Sequence, residues 1–446
     1  MKLIIIGGGF GGLRLARRLS NKPGFDITLI DRFNYHQFQP LFYQVATAEL
    51  DASNISFPLR KVFHKSTNIR FRMGEVKQIN AREKKLVTDT GVFDYDALVI
   101  ATGADTNFFG NLQVEGNAFP MKSTVEALQI RHRLLQNFED ALLARNEEEL
   151  NRLMTVIIVG GGPTGVELSG AIADMKRYVL PKDYPELDFS RMKIYLLEGS
   201  EKTLAAMSDR SARDSRRYLK KLGVTVMTNT LLKDYDGKKV RVQNGETIDA
   251  AMVIWAAGIK GNVPAGISKE LIAPGNRIKV DRQCQVPGYP GVFAIGDVAW
   301  MDEPDWPRGH PQVAPVAIQQ ADMLARNLRR MEMKSKVDLL ENFVYSDKGN
   351  MATVGRNLAV VDVPLGKKKG RILHFGGLFA WLIWMGLHLM LILGVKNRFF
   401  VFSNWLYSYV TYDQNLRLIF KDFYRAPGQQ SGRTGTHNEV LDKNIT

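Results

Sequence analysis

Short runs of apolar residues, each followed by glycine or an acidic residue, set the pattern of the chain. Residues 3–6 are the first such run, and five of the next six residues are glycine. A helix is predicted over about residues 12–20, and the next apolar run, residues 27–30, ends at Asp31. Apolar runs this short, bounded by turn residues, are typical of strands buried on both faces of a parallel sheet. The opening therefore predicts a strand, a glycine turn, a helix and a parallel second strand.

The same order of patterns returns 153 residues later. Residues 156–159 are an apolar run followed by a second glycine-rich turn, and residues 194–197 are an apolar run that ends at Glu198. An insertion around residues 181–188 lengthens this second copy. Two copies of one pattern are far more specific than one copy. The sequence therefore predicts an α/β fold with a duplicated, Rossmann-like dinucleotide-binding architecture.

Three further apolar runs end in small or acidic residues. Such endings let a ligand, or the chain that leads to another domain, pass close to a sheet. The endings are Ala101, Thr102 and Gly103 after residues 97–100, Ala256, Ala257 and Gly258 after residues 252–255, and Gly296 and Asp297 after residues 292–295. Asp297 is also suited to the N-cap of a helix, and one residue can both cap a helix and face a ligand.

Two segments between these runs have different patterns. Residues 123–152 lack glycine and proline and predict one long connecting helix. Residues 32–44 are rich in aromatic and amide side chains and have neither helical nor strand periodicity. This second segment is either a plain surface connection or the wall of a ligand pocket or substrate channel, and the wall is the favoured interpretation.

The C-terminal part contains an uncharged apolar segment. Residues 372–395 include no Asp, Glu, Lys or Arg, and as one helix they would rise about 36 Å, enough to cross a bilayer core of about 30 Å. Gly376 and Gly377 instead predict a helix start, which leaves residues 378–393 only about 24 Å long. With the aromatic residues 399–412, the segment predicts a helix pair that lies in the membrane surface. A membrane span and a dimer interface are the alternatives.

Composition is that of an ordinary globular protein with a strong positive charge. The 446 residues are 45% hydrophobic and 24% charged, and the net charge is +14. Such a charge implies an acidic partner, either nucleic acid or an anionic membrane surface. No nucleic-acid-binding motif is present, so no nucleic acid partner is expected and an anionic lipid bilayer surface is favoured. The basic residues beside the apolar segment are Lys367, Lys368, Lys369, Arg371, Lys396 and Arg398.

Cysteine usage and the start of the chain narrow the class further. The single cysteine, Cys284, excludes a disulfide framework and a C-x-x-C redox pair within the chain. The first predicted strand begins at residue 3, so no signal or transit peptide is expected. The catalytic part is therefore expected in the cytosol.

Both glycine turns have the spacing of a dinucleotide-binding site. In G-x-G-x-x-G the first glycine permits a tight turn, the second lets a pyrophosphate approach the backbone, and the third lets the helix pack closely. An acid about 20 residues later accepts hydrogen bonds from a ribose diol. A carboxylate repels a 2′-phosphate and no arginine follows Glu198 immediately, so the second site is expected to prefer NADH over NADPH. The residues are Gly7, Gly9, Gly12 and Asp31 in the first copy and Gly160, Gly162, Gly165 and Glu198 in the second.

The two fingerprints, with the strand endings at Gly103, Gly258 and Gly296-Asp297, resemble the flavoproteins that have two dinucleotide-binding domains. This resemblance implies that the first copy binds FAD non-covalently and the second binds NADH. It also implies that Gly296 and Asp297 contact the ribityl and phosphate chain of the flavin. Related families with catalytic cysteines, such as the disulfide reductases and the sulfide:quinone oxidoreductases, need at least two cysteines.

Three shorter motifs resemble the type II NADH:quinone oxidoreductases: Gln39-Pro40-Leu41 with residues 43–47, residues 162–167, and Gln319-Gln320-Ala321. The likeness extends from residue 1 to about residue 410. It implies electron transfer from NADH through FAD to a membrane quinone without proton pumping, by a peripheral or monotopic protein on the cytoplasmic face of the cell membrane. A homodimer is expected. The alternative is a reductase or oxidase that acts on soluble acceptors or oxygen, with the apolar tail as a dimer interface.

The same resemblance assigns roles to individual residues. It implies a catalytic role for Glu167, Gln319 and Gln320, cofactor contacts for Arg32, Val76, Ala101, Thr102, Gly103, Ala257 and Gly258, quinone contacts for Gln39, Tyr43, Gln44, Gln319 and Gln320, and no metal. Glu167 is also simply favourable as an acid near a helix N-terminus. One departure concerns the family's quinone signature, in which Pro315 replaces the first Gln.

The expected domain boundaries follow from these assignments. The FAD-binding domain takes residues 1–121 and 276–345, and the NADH-binding domain takes residues 122–275. A helical membrane-anchoring region takes residues 346–425. The polar, glycine-containing tail, residues 426–446, is expected to be disordered.

Overall fold

A five-stranded parallel sheet, the first sheet, organises the N-terminal part of the protein. The computed structural model describes residues 1–333, 340–365, 371–414 and 416–420. Ile100 pairs with both Ile6 and Ala294, and Ile6 pairs with Ile30. Because these strands run in parallel and in register, the segments that follow four of them meet at one edge. The strand order is Val292–Ala294, Ala97–Ile100, Lys2–Ile6, Asp26–Asp31 and Ile69–Met73.

A second five-stranded parallel sheet repeats this arrangement. Val159 pairs with both Trp255 and Leu197, so the segments after these three strands also meet at one edge. The predicted α/β fold with two dinucleotide-binding sheets is confirmed. The strand order is Phe119–Pro120, Met252–Trp255, Thr155–Val159, Lys193–Leu197 and Val224–Met227.

A helix starts directly at each glycine turn. Phe10–Leu19 has Gly9 as its N-cap, and Pro163–Asp174 has Gly162. Pro163 suits the first turn of its helix because the amide that proline lacks has no partner there. The buried side of Phe10–Leu19 presents two glycines and small or apolar side chains to the first sheet. Each helix therefore runs close to its sheet and points its N-terminus across the glycine turn.

The prediction of one long helix over residues 123–152 is wrong. Two helices, Thr124–Leu142 and Glu147–Leu153, replace it. The side chain of Asn146 accepts a hydrogen bond from the backbone N–H of Glu149 and so caps a new helix start. A capping box formed by Ser123 and Glu126 starts the first of the two helices.

Residues 32–44 also contain more regular structure than their pattern indicates. Tyr35–Gln37 is a strand that pairs antiparallel with Ser56–Pro58, and Phe42–Ala46 is a short buried helix. The strand partner lies outside the segment, so the local pattern did not contain the signal. Phe38 is fully buried in the same region.

The C-terminal part combines a small sheet with two helices. Asn350–Thr353, Ala359–Pro364 and Ile372–Gly376 form an antiparallel sheet, followed by the helices Gly377–Leu391 and Val395–Thr411. The helix start at Gly377 is as predicted, whereas a single helix over residues 372–395 does not form because its first residues join the sheet. No helix in the described part of the chain is both long and apolar enough to cross a membrane. Lys367, Lys368 and Lys369 and the tail, residues 426–446, lie outside the described residues.

The two C-terminal helices, called here the tail helices, pack into the core of the protein. Trp384 and Trp405 belong to the same buried cluster as Val156 of the second sheet and Val166 of its glycine-turn helix. The side chains around the first sheet form a separate cluster. The tail helices are therefore part of the folded body and not an appendage.

Shorter elements complete the structure. The remaining helices are Leu59–Val62, Leu112–Asn117, Leu180–Asp183, Asp209–Lys221 and Ala314–Glu332, with a π-helical turn at Met175–Val179 and 3₁₀ turns at Gln39–Leu41, Ala52–Asn54, Phe189–Arg191, Lys269–Leu271 and Gly296–Val298. The remaining strands are Val76–Asn80, Lys85–Thr88, Gly91–Asp94, Ala104–Thr106, Leu232–Tyr235, Lys239–Val242, Thr247–Asp249, Ile259–Gly261, Ile272–Ala273, Arg277–Val280 and Ala299–Met301.

Candidate active site

The first glycine turn leaves no room for side chains where the chain crosses itself. A Cβ on Gly7 would overlap the carbonyl oxygen of Ala101, and a Cβ on Gly12 would overlap the carbonyl oxygen of Gly7. At Gly9, in contrast, no protein atom lies within 4 Å of the Cβ position. Gly7 and Gly12 are thus needed for packing, whereas Gly9 borders open space. This is the cradle that a pyrophosphate needs.

Asp31 closes the first turn from the end of the neighbouring strand. Its carboxylate accepts hydrogen bonds from the backbone N–H of Gly8 at 2.6 Å and of Phe33 at 2.7 Å. Burial raises the pKa of Asp31, and these two bonds oppose the rise. The acid is held at the rim of the turn, as recognition of a ribose requires.

The outer strand Val292–Ala294 of the first sheet brings the predicted segment Gly296-Asp297 to this edge. Gly296 has φ +76°, and its N–H donates to Oε1 of Gln320 at 2.7 Å. Asp297 follows in a 3₁₀ turn whose N-cap is Ile295, so the N-cap alternative for Asp297 is wrong. Burial raises the pKa of Asp297, and nearby Lys122 and Arg277 lower it. Lys122 had no signal in the sequence, because no motif contains it.

The second glycine turn repeats this geometry. A Cβ on Gly165 would overlap the carbonyl oxygen of Gly160, and Gly162 again borders open space. Glu198 accepts from the N–H of Gly161 at 2.5 Å and of Ser200 at 2.7 Å. The two turns match bond for bond, which means that two similar dinucleotides fit them.

The other predicted cofactor residues differ in their contacts and in their exposure. Thr102 donates its hydroxyl to the carbonyl oxygen of Asn262 at 2.6 Å, and Ala101 and Gly103 flank it. Gly258 has φ +141°, and a Cβ there would meet the ring of Phe109 at 2.8 Å. The remaining three are Arg32, which is exposed, and Val76 and Ala257, which are half-buried.

Glu167 lies in the glycine-turn helix of the second sheet and is buried. Its Oε1 accepts from the backbone N–H of Thr353 at 3.4 Å. Burial raises the pKa of Glu167 to about 8, and the bond from Thr353 opposes the rise. An acid with this pKa is mostly protonated at neutral pH and can donate a proton.

Tyr43 and Gln44 lie in the helix Phe42–Ala46, which packs against the helix that contains Glu167. The hydroxyl of Tyr43 shares a hydrogen bond of 3.0 Å with the Thr353 hydroxyl, so Thr353 contacts both Tyr43 and Glu167. Oε1 of Gln44 accepts from the indole N–H of Trp405 at 2.9 Å. The structure therefore brings three predicted residues together, and Thr353 and Trp405 join them without any signal in the sequence.

The remaining predicted quinone residues are held by backbone groups or by lysine. Gln319 forms two hydrogen bonds with the backbone of Ser346, and Gln320 accepts from Gly296. Gln39 accepts from Lys122 at 3.4 Å. Pro315 lies in the first turn of the helix Ala314–Glu332. Proline is favoured there, which gives the departure from the family signature a structural reason.

Two kinds of site find no support. Cys284 is fully buried, and burial raises the pKa of its thiol, so it lacks the exposed thiolate that a redox cysteine needs. The described ranges contain no group of three or more His, Cys, Asp or Glu side chains that could hold a metal ion.

Paired glycine turns without a redox cysteine define the class of the protein: a flavin-dependent oxidoreductase that binds a pyridine nucleotide. Residues 1–321 match the family profile described as pyridine nucleotide-disulphide oxidoreductase, and residues 348–411 match the NDH2 C-terminal domain. Each glycine cradle fits the pyrophosphate of a dinucleotide, and FAD and NADH are the dinucleotides of this family. FAD accepts a hydride and passes electrons on when it is bound.

Curated relatives specify the family further. Type II NADH:quinone oxidoreductase Ndh of Mycobacterium tuberculosis is 33% identical over 92% of this chain and 88% of the relative. Its NdhA counterpart in the same organism is 34% identical over 92% of this chain and 87% of the relative. The chain belongs to the type II NADH:quinone oxidoreductase family.

Solved structures share the fold. NDH2 from Plasmodium falciparum in complex with NADH has a TM-score of 0.84 at 22% identity and covers 94% of this chain and 99% of its own. The sulfide:quinone oxidoreductase of Aquifex aeolicus has a TM-score of 0.68 at 20% identity, over 96% of this chain and 99% of its own.

Proposed function

We propose that the protein oxidises NADH and reduces a membrane quinone through bound FAD. Gly7, Gly9, Gly12 and Asp31 hold the FAD, in a domain of residues 1–121 and 276–345. Gly160, Gly162, Gly165 and Glu198 hold the NADH, in a domain of residues 122–275. The observation that carries the two dinucleotide sites is the bond-for-bond match of the two acid-closed glycine turns, and the resemblance to the family assigns FAD to the first turn and NADH to the second. Thr102, Gly103, Gly296 and Asp297 line the FAD site, with Arg32, Val76 and Ala101 around it and Ala257 and Gly258 beside NADH.

The protein side of quinone reduction centres on Glu167. A quinone that gains two electrons also gains protons, and Glu167 is a buried acid with a pKa raised to about 8. Thr353 forms hydrogen bonds with both Glu167 and Tyr43, so Glu167 belongs to a hydrogen-bonded group that includes Tyr43. Gln39, Gln44 and Gln319 are proposed to position the quinone. Gln320 is proposed to act through the Gly296 turn that its amide holds.

Purified protein, supplied with lipid, tests the proposed reaction directly. NADH oxidation is compared with quinone, oxygen and ferricyanide as acceptors. A clear preference for quinone over oxygen supports the proposal. Equal rates with oxygen and quinone would favour an oxidase or soluble-acceptor reductase.

Nucleotide preference is the first prediction. NADH should exceed NADPH by at least about tenfold in kcat/KM, because a 2′-phosphate beside the fixed Glu198 carboxylate costs more than about 1.4 kcal/mol. Steady-state kinetics with both nucleotides measure the ratio. Glu198→Gln should narrow it while the FAD content stays unchanged. Equal specificity constants in the unmodified protein would contradict the prediction.

We propose that the tail helices attach the protein to the cytoplasmic surface of the cell membrane. Each helix has one buried side and one exposed apolar side: Trp384 is 1% and Phe379 60% exposed in the first helix, and Val401 is 0% and Phe399 64% exposed in the second. Exposed apolar side chains on adjacent helices form the kind of patch that binds a bilayer surface. Lys396 and Arg371 add attraction to anionic lipid. A homodimer is proposed as well, with an interface elsewhere than this exposed side.

Membrane attachment gives the second prediction. The double variant Phe399→Ser/Leu406→Ser should bind vesicles of phosphatidylglycerol and phosphatidylcholine about a hundredfold more weakly, since two inserted side chains contribute roughly 3 kcal/mol. Co-sedimentation with the vesicles measures the change. High salt should not release the unmodified protein, because screening weakens charge attraction but not apolar burial.

The control uses two apolar residues outside the tail helices that are even more exposed than Phe399 and Leu406, namely Leu112 and Leu143. Leu112→Ser/Leu143→Ser should bind vesicles normally. Equal losses in both double variants, or release of the unmodified protein by salt alone, would refute membrane attachment through the tail helices. If the Phe399→Ser/Leu406→Ser protein instead changes from dimer to monomer in size-exclusion chromatography, the exposed side is a dimer interface.

A further inference from the structure

An exposed phenylalanine lies beside Gly258, in the loop that leads to the helix Leu112–Asn117. Phe109 is 68% exposed, whereas the neighbouring Phe108 is 8% exposed. Cζ of the Phe109 ring lies 2.8 Å from the position that a Cβ on Gly258 would take, so the ring fits there only because residue 258 is glycine. Single exposed apolar residues are common on protein surfaces, so exposure by itself does not indicate a function.

The backbone conformation at Phe109 is one that other residues adopt more easily. Phe109 has φ +53° and Gly110 has φ +77°. The N–H of Asn111 closes the turn by donating to the carbonyl oxygen of Phe108 at 3.0 Å. These are the features of a type I′ turn, whose two central positions favour Asn, Asp and Gly. A bulky side chain at positive φ is strained, and such strain is concentrated at functional sites. Neither burial nor turn geometry therefore explains a phenylalanine at this position.

Three hydrogen bonds fix this turn on the second sheet. The backbone N–H of Asn107 donates to the carbonyl oxygen of Gly258 at 3.1 Å, and the indole N–H of Trp255 donates to the carbonyl oxygen of Asn107 at 2.9 Å. The side chain of Asn107 then accepts from the backbone N–H of Phe109 at 2.9 Å. The rings of Phe109 and Trp255 meet edge to face, with centres 6.4 Å apart. The Phe109 ring therefore has a defined position beside Gly258.

The order of strands in the second sheet indicates which half of NADH lies over Gly258. The strand that leads into the glycine turn, Thr155–Val159, lies between the strand that ends before Glu198 and the strand that ends before Ala256. Glu198 receives the adenosine ribose and the glycine turn receives the pyrophosphate. The dinucleotide then continues over the remaining strand end, where the carbonyl oxygen of Ala256 lies 2.6 Å from the Cβ position of Gly160. The nicotinamide half of NADH is therefore expected over Gly258.

Two short strands connect this side of the NADH site with the FAD cradle. Ala104–Thr106, which follows Gly103 at the edge of the first sheet, pairs antiparallel with Ile259–Gly261, which follows Gly258. The backbone N–H of Asn262 donates to the carbonyl oxygen of Gly103 at 3.0 Å. The end of the dinucleotide over Gly258 is thus directed towards the flavin. Hydride transfer requires this direction, because the nicotinamide has to reach the flavin ring.

We propose that the ring of Phe109 packs against the nicotinamide half of NADH and holds the nicotinamide in position for hydride transfer to the flavin. The proposal rests on the proposed function, because it assumes NADH at the second glycine turn. An aromatic ring offers a large, rigid apolar face to a planar ring. A bound nucleotide that covers this ring accounts for both its exposure and its strained backbone. Phe109 exchanges neither protons nor electrons and acts by contact alone.

The first test is the affinity of Phe109→Asn for two nucleotides. This change removes the ring but suits a positive φ, so the turn is retained. Affinity of the FAD-loaded protein for NAD⁺ should fall about tenfold, the effect of a lost aromatic contact. Affinity for ADP should be unchanged, because ADP has the adenosine and the pyrophosphate but lacks the nicotinamide half. Isothermal titration calorimetry measures both affinities.

Rapid kinetics separates positioning from affinity. Stopped-flow reduction of the flavin at saturating NADH should be at least about tenfold slower in Phe109→Asn, because a displaced nicotinamide reacts slowly even when it is bound. Reoxidation of the photoreduced flavin by quinone should be unchanged, since this step does not involve the nucleotide. Phe109→Tyr keeps the ring and should retain most of the NAD⁺ affinity and most of the reduction rate.

Two further variants complete the design. Phe109→Gly also removes the ring and fits the positive φ, so it replaces Phe109→Asn if thermal unfolding shows that variant to be unstable. Leu112→Ala removes another exposed apolar side chain of the same segment and should behave as the unmodified protein. Normal NAD⁺ affinity, an equal loss of NAD⁺ and ADP affinity, or an unchanged rate of flavin reduction in the folded ring-less variant overturns the proposal. Failure of the unmodified protein to bind either nucleotide refutes the proposed NADH site instead.

Discussion

Replacing Gly165 with alanine is expected to remove NADH oxidation almost completely and to destabilise the protein. The added Cβ would overlap the carbonyl oxygen of Gly160, and a backbone atom cannot turn aside as a flexible side chain can. Overpacking of this kind costs about 1–3 kcal/mol of unfolding free energy. KM for NADH should rise by at least about a hundredfold, which corresponds to about 2.7 kcal/mol. NADH titration and thermal unfolding measure the two effects.

Gly162→Ala is the matched variant that separates binding from folding. Gly162 has φ −70°, which any residue adopts, and no atom lies within 4 Å of its Cβ position. The fold should therefore be at least as stable as before. The methyl group nevertheless stands where the pyrophosphate must approach the backbone, so NADH affinity should still fall. If Gly162→Ala binds NADH normally, the assignment of the nucleotide to this turn is wrong.

The second large effect is expected for Glu167→Gln. Loss of the buried proton donor should slow quinone reduction about a hundredfold or more, the usual contribution of a positioned acid. FAD content and flavin reduction by NADH should remain, because both glycine turns lie outside the change. Stopped-flow measurement of the reductive step and steady-state measurement with quinone separate the two. Unchanged quinone kinetics in fully flavin-loaded Glu167→Gln would mean that Glu167 is only a favourable acid in its helix.

Stability against pH provides an independent check on Glu167. Burial raises its pKa from 4.5 to about 8, so the folded protein binds more protons than the unfolded chain between these values. Stability from this group is therefore present at low pH and is lost as pH rises towards about 8. Glu167→Gln should weaken this loss. Chemical denaturation of both proteins on either side of this range measures the difference.

Local patterns were sufficient for the two dinucleotide sheets. The turn at Gly7, Gly9 and Gly12 and its repeat at Gly160 need only neighbouring residues to form, because a tight turn and a helix start are determined within a few positions. Parallel strands then bring their following segments to one edge, so the convergence of Asp31, Gly103 and Gly296 also followed from the pattern. The helix start at Gly377 was local in the same way.

Patterns failed where the partner of a segment lay far away in the chain. The strand Tyr35–Gln37 has its partner outside the aromatic segment, and the break before Glu147–Leu153 depended on one cap that composition does not reveal. The apolar segment after residue 372 was divided because its first residues found a place in an antiparallel sheet. In each case a tertiary contact or a single hydrogen bond outweighed the secondary-structure propensity of the segment.

The sequence by itself determined which residues form the paired cradles, the acids that close them and the apolar tail, since each depends on spacing along the chain. Only the tertiary structure decided what surrounds Glu167 and Gln44. Thr353 lies 186 residues from Glu167, and Trp405 lies 361 residues from Gln44. Contacts over such separations leave no periodicity or motif in the chain. Burial, which raises the pKa of Glu167, exists only once these distant segments have packed together.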